Sequence, residues 1–269
     1  MPTLQELLAD VDDARDELVA LAQSLVRIPT VNTGVMPTGH ETEAAEVVRA
    51  ALEAEGIPAE VIDSAPGRGN LVARWRGEGT GPSLMLMGHL DVVPVEDESL
   101  WTYPPFAAEV AQGRLWGRGT ADLKGTVAAE VMALLLLKRH NITPLGDFVL
   151  VAAADEEAGG AYGLGWLAQH HPDLLRADFA INEGGGHPII HDGRITYPIP
   201  SGEKGRLEVT ITVSGRGYHA SAPWMADNAI YGARLVLERI SHYRPEVSVD
   251  ALLFRHIGPA LGIDESITP

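Results

Sequence analysis

The sequence predicts an α/β fold: a sheet whose strands are apolar on both faces, covered on each side by helices. Three observations predict it. Short apolar, β-like runs alternate with helical segments; several of those runs are apolar throughout; and the polar, reactive residues gather just beyond their C-terminal ends. Open α/β sheets place their sites at those ends.

Residues 12–27 carry Leu18, Leu21, Ala22 and Leu25 at helical spacing, and Pro29 ends the helix. A second helix is expected over 41–55, with Gly56 as its stop. Strands follow at 59–62 and 71–75, separated by the turn residues Pro66-Gly67-Arg68-Gly69. The run 83–87 is a strand that leads directly into Gly88-His89-Leu90-Asp91. Residues 123–140 form a long, mostly apolar helix, 147–154 a buried strand, 163–170 a helix and 177–181 a strand.

The texture changes near Pro200. Residues 207–213 alternate apolar and polar positions, as a strand with one wet face does. Residues 227–240 form an amphipathic helix that Asp227 is placed to cap. The expected division is a metal-binding catalytic portion over 1–200 and an incomplete second domain over 201–269.

Composition narrows the chemistry. With 269 residues, 45% of them hydrophobic, the chain can bury a sizeable core. A formal net charge of -17 argues against nucleic acid as a partner, because phosphate backbones demand a basic footprint. There is no cysteine, which excludes disulfides, zinc fingers and thiol catalysis and leaves only imidazole and oxygen as metal ligands. The N-terminus lacks a basic-then-apolar leader and the longest apolar run, 131–137, is too short to span a bilayer, so a cytoplasmic protein with no membrane partner is expected.

Five segments carry the candidate chemistry: Gly88-His89-Leu90-Asp91, Gly119-Thr120-Ala121-Asp122, Asp155-Glu156-Glu157, Asn182-Glu183-Gly184-Gly185 and Gly217-Tyr218-His219. Carboxylates at the ends of buried strands are unfavourable unless paired or metal-bound. Asp91 is two residues beyond His89, on the same side if the strand geometry persists, where it can orient the ring. Asp122 reads as a helix cap and, without excluding that, as a carboxylate bridging two cations roughly 3.5 Å apart. Adjacent Glu156 and Glu157 repel unless cations or protons divide their roles, and Asp155 is expected to shape the turn. Lys124 reads as a solvated or salt-bridged helix residue. No phosphate-binding loop or nucleophile elbow is present.

Met87-Gly-His89-Leu-Asp91-Val-Val-Pro94, Gly117-Arg-Gly-Thr-Ala-Asp122-Leu-Lys-Gly125 and Asp155-Glu156-Glu157 together closely resemble the M20 metallopeptidase family. That family contains acetylornithine deacetylase, succinyl-diaminopimelate desuccinylase, aminoacylase and carboxypeptidase members. The resemblance implies a zinc-exopeptidase-like mixed sheet with a smaller α+β lid or dimerisation domain. It also implies two Zn2+, with Co2+ or Mn2+ as alternatives, a small N-acyl amino acid or peptide substrate, and a homodimer formed through the lid. By motif position His89 would bind one zinc with Glu183, Asp122 would bridge, and Glu157 would bind the second. Glu156 would be the general base, Asp91 would orient His89, and His219 would be the lid histidine that reaches the substrate. The family completes its second metal site with a histidine near the C-terminus. Nothing after Pro245 matches it, so the chain is expected to stop within the lid and, by itself, not to turn over substrate. A non-catalytic metal-binding scaffold and a di-zinc aminopeptidase remain the alternative readings.

Overall fold

The computed structural model describes residues 2–184, 188–191, 193–197 and 209–244. The chain divides into two units, Met1–Glu183 and Gly184–Pro269.

In the first unit, helices α1 (Leu4–Asp13), α2 (Arg15–Val26) and α3 (Thr42–Ala54) precede strands β1 (Ala59–Asp63), β2 (Gly69–Trp75) and β3 (Leu84–His89). A small hairpin, β4 (Glu109–Ala111) and β5 (Arg114–Trp116), comes before helix α4 (Lys124–Arg139). Strand β6 (Phe148–Ala153), helix α5 (Leu164–His170) and strand β7 (Phe179–Ile181) complete the unit. The five-stranded sheet has the order β1-β2-β6-β3-β7. It is mixed: β1 and β6 run antiparallel to β2, whereas β6, β3 and β7 run parallel to one another.

Period-two alternation divides the strand side chains between two apolar layers. Leu71, Ala73 and Trp75 of β2 and Leu150 and Ala152 of β6 face a cluster that includes Leu25 of α2, Val48 and Leu52 of α3, and Val131 and Leu135 of α4. Val72, Val149, Val151 and Ala153 face the opposite layer, where Leu167 of α5 packs. Each fully buried Leu or Val contributes about 1.5–3 kcal/mol of transfer free energy, so β6, covered on both faces, anchors the sheet. Helix α4 is made largely of strong helix formers, contains no proline, and ends with Lys138 and Arg139, which suit the negative pole of its dipole.

Three elements depart from expectation. Helix α1 lies ahead of the expected start at residue 12; a Thr3–Glu6 capping box nucleates it, while Leu4, Leu8 and Val11 stay exposed. Residues 209–213 form no strand among the described residues, and 207–208 lie outside them. Alternation specifies a face, but a strand also requires a hydrogen-bonded neighbour. Helix α6 (Ala229–His242) is capped by Asn228, whose side chain accepts from Ile230 N, and not by Asp227. Asp227 instead forms an isolated bridge with Arg216. The second unit also holds a hairpin of β8 (Ile189–His191) and β9 (Arg194–Thr196). Among the described residues, no helix is long and apolar enough to cross a membrane.

Candidate metal centre

Parallel pairing sets the site. Because β6, β3 and β7 run in one direction, their C-terminal ends lie side by side at the spacing of neighbouring strands, about 4.8 Å. His89 is the last residue of β3, Glu156 and Glu157 follow β6, and Glu183 follows β7. Asp122 arrives from the loop ahead of α4. Gly88 lets that helix approach: a Cβ there would meet Val127 Cγ2 of α4 at 2.7 Å.

His89 is buried, and its Nε2 lies 2.9 Å from Asp122 Oδ1, 3.6 Å from Glu183 Oε2 and 3.8 Å from Glu156 Oε2. One ligand atom each from His89, Asp122 and Glu183 lie within 4.8 Å of one another. Burial by itself depresses the His89 pKa, but Asp91, Glu183 and Glu156 carry it up to about 9. Burial raises Glu156 most; His89 draws it back, and Glu183, Asp91 and Asp122 push it up. Glu157 is raised by burial and then by Asp122. Several carboxylates crowded around one imidazole need shared cations or protons, so the donor set fits a divalent metal bound through nitrogen and oxygen.

Asp91 is fully buried and organises the loop behind the cluster. Its Oδ1 accepts from Glu156 N at 3.0 Å and its Oδ2 from Glu157 N at 3.1 Å. His89 Nδ1 lies 3.0 Å from the Asp91 carbonyl oxygen and 3.4 Å from Oδ1, so the backbone carbonyl is the closer partner. Burial would raise the Asp91 pKa, but contacts with His89, Asn32 and Glu156 N hold it below the ordinary carboxylate value.

The structure thus brings His89, Asp122 and Glu183 together, with Glu156 beside them. Glu157 is tied to Asp91 through its backbone and does not contribute to the three-atom ligand group. Asp122 does not cap α4: Leu123 holds the cap position with no side-chain bond, and the Asp122 carboxylate faces His89. Lys124 is not solvated. It is buried and donates to the Ile28 carbonyl at 2.7 Å. His219 belongs to the second unit, where its exposed ring accepts from Ser221 N at 3.2 Å. Sequence reasoning missed the buried Arg68 and Asn32, polar residues in short connecting segments with no periodic pattern, and Glu41, which reads as the first residue of a helix.

A cavity of about 270 Å³ opens beside the cluster, lined mainly by Gly88, Ala153, Leu164, Gly165 and Asn182 as well as His89, Glu156 and Glu183. A larger open recess of about 640 Å³ near Glu6, Glu78 and His140 has no converging ligand group among the described residues.

A mixed α/β sheet whose parallel strands end in a buried imidazole and convergent carboxylates defines a candidate metal-binding domain of exopeptidase-like fold. The chain belongs to Peptidase family M20/M25/M40, whose pattern matches residues 85–256. It is 37% identical over 163 residues to N-formyl-4-amino-5-aminomethyl-2-methylpyrimidine deformylase of Halalkalibacterium halodurans, covering 60% of this chain and 38% of that protein. It is 32% identical over 231 residues to succinyl-diaminopimelate desuccinylase of Cereibacter sphaeroides, covering 84% of this chain and 56% of that protein. The chain therefore spans between 38% and 56% of the length of these curated relatives. Among solved structures it resembles an M20 family metallo-carboxypeptidase from Sulfolobus solfataricus, with a TM-score of 0.61 at 19% identity over 94% of this chain and 61% of that one. Human carnosine dipeptidase 1 gives a TM-score of 0.59 at 22% identity over 70% of this chain and 43% of that one. At such identities the likeness establishes the fold.

Proposed function

We propose that the full-length protein hydrolyses an amide bond in an N-acyl amino acid or small peptide with metal-activated water. The observation that supports this reading best is the convergence of His89, Asp122 and Glu183 at the strand ends, with the Glu156 carboxylate beside them. His89 and Glu183 would hold one ion, Asp122 would bridge to a second, and Glu157 would hold that second ion. Zinc suits this nitrogen and oxygen set, and cobalt and manganese share its ligand preferences. When bound, the metal pair supplies Lewis acidity that makes water reactive at neutral pH.

Glu156 acts as general base: its carboxylate stands beside the ligand group, 3.8 Å from His89 Nε2, placed to take a proton from water and return it to the leaving amine. Asp91 fixes the backbone of the Glu156–Glu157 loop, so the base keeps its place beside His89. We assign His219 to contact the substrate carbonyl oxygen, and the second unit to a lid through which two copies pair. The curated deformylase and desuccinylase relatives point to a small acyl group on nitrogen as the part removed.

The test uses full-length protein stripped by chelation and reloaded with zinc, assayed on N-formyl, N-acetyl and N-succinyl amino acids and on dipeptides. Cleavage should be lost on stripping and return on loading. Zinc uptake without cleavage of any of these would replace this reading with a non-catalytic metal-binding scaffold.

A further inference from the structure

We propose that Asn32 and Arg68, neither of which touches the cluster, are positioning residues of the metal centre. Pro29 ends the first helical region, and residues 30–32 then run beside residues 90–92. Asn32 N donates to Val92 O at 2.8 Å and Val92 N donates to Thr30 O at 3.0 Å, which sets the Asn32 side chain next to Asp91. Asn32 Oδ1 accepts from Gly34 N at 2.9 Å, and this fixes which end of the amide is the donor. Its Nδ2 donates to Asp91 Oδ2 at 2.8 Å and to Asp155 Oδ1 at 3.0 Å.

Asp155 is the junction. Its backbone is left-handed at φ 65°, a conformation uncommon for non-glycine residues but one that aspartate tolerates better than most. Arg68 Nη2 donates to Asp155 Oδ1 and to Glu41 Oε1, both at 2.9 Å, and Tyr162 N donates to Asp155 Oδ2 at 2.9 Å. Arg68, Glu41, Asn32, Asp91 and Asp155 are all buried. The turn at Asp155 aims Glu156 N and Glu157 N at Asp91, whose remaining acceptor capacity goes to Asn32. Arg68 therefore holds the bend of the carboxylate loop, and Asn32 ties that bend to the residue beside His89. Outer partners of this kind set the direction of a ligand without bonding to the ion.

This inference rests on the metal-binding reading above. The test is calorimetric titration of the chelator-stripped protein with zinc, the metal alone, for the parent, Asn32→Ala and Arg68→Lys. Circular dichroism checks folding at the titration temperature, and the visible spectrum of the cobalt-loaded form reports coordination. Both substitutions avoid leaving an unpaired buried charge. Asn32→Ala should stay folded yet bind zinc about 10-fold or more weaker, with an altered cobalt spectrum; Arg68→Lys should lie between it and the parent. Parent-like affinity and spectrum in a folded Asn32→Ala, or in a folded Arg68→Lys should the first variant not fold, would overturn the inference alone. Failure of both variants to fold makes the network purely structural and overturns it too. Absence of zinc uptake by the parent overturns the metal-binding reading and this inference together.

Discussion

His89 Nε2 lies 2.9 Å from Asp122 Oδ1, a contact that joins the last residue of β3 to the loop entering α4. The two residues are 33 positions apart, and only the close approach of α4 over Gly88 brings them together. A nitrogen and an oxygen so placed share a proton, and the same two atoms can turn to a shared cation. Glu183 is the third member of this group and Glu157 is not, which separates their expected effects.

In the full-length protein, His89→Ala should lose the ion that His89 and Glu183 would hold, because the imidazole is the one nitrogen in that group. Glu157→Gln should lower zinc from two ions per chain to one. Metal content after gel filtration, read by mass spectrometry, checks both. An unchanged stoichiometry in Glu157→Gln would remove that residue from the ligand set.

Glu156→Ala should keep its metal and lose amide hydrolysis by roughly 10²–10⁴-fold, the range associated with a positioned acid–base group. Its Oε2 is 3.8 Å from His89 Nε2, and its backbone N–H is bonded to Asp91, so the loop has support that does not need the side chain. Zinc content and turnover should be measured on the same preparation. Loss of both together would make Glu156 a ligand and not a base.

The legible parts of this molecule are those with local pattern. An apolar run ending abruptly in Gly-His, and another ending in Asp-Glu-Glu, mark β3 and β6 and their site residues, since titratable side chains follow directly on each apolar run. The hairpins β4–β5 and β8–β9 were not legible: strands of three residues are too short to show alternation. Helix α1 was missed because its apolar side chains face outward, so its main start signal is one capping box. Arg68 reads as a turn residue between two glycines, and its partner Asp155 is 87 positions away. Lys124 reads as solvated, whereas the carbonyl it reaches is 96 positions away. Contacts of that range leave no trace in spacing.

Glu130 on α4 offers a test of buried charge outside the ligand group. Its Oε2 is buried without a hydrogen-bond partner among the described residues, and burial alone raises its pKa from 4.5 to about 7. The fold therefore keeps a proton that the unfolded chain releases, and stability falls as pH rises from about 4.5 to 7. Glu130→Gln removes that dependence. The variant should be more stable than the parent at pH 8 by on the order of 1–2 kcal/mol, with the difference shrinking toward pH 4. Urea unfolding at the two pH values measures it; an equal difference at both would show that titration of Glu130 is not the cause.

Gly163 is where the loop that carries Glu156 and Glu157 folds back on the end of β6. A Cβ at this position would sit 1.8 Å from Ala154 O and 2.9 Å from Ala154 C. Both atoms are backbone, so no rotamer change relieves the clash. The loop is closed by Gly160 N donating to Asp155 O at 2.6 Å and by Gly163 N donating to Gly160 O at 3.0 Å. Displacing Gly163 therefore displaces the Asp155 turn, and with it the two glutamates. Gly163→Ala should destabilise the protein by about 1–3 kcal/mol, the usual range for overpacking. It should also weaken zinc binding, because the strain enters at the residue next to Asp155. Thermal unfolding of the metal-free form gives the first quantity and zinc titration the second. A variant with lowered stability but parent-like zinc affinity would mean that the loop absorbs the strain before it reaches Glu156.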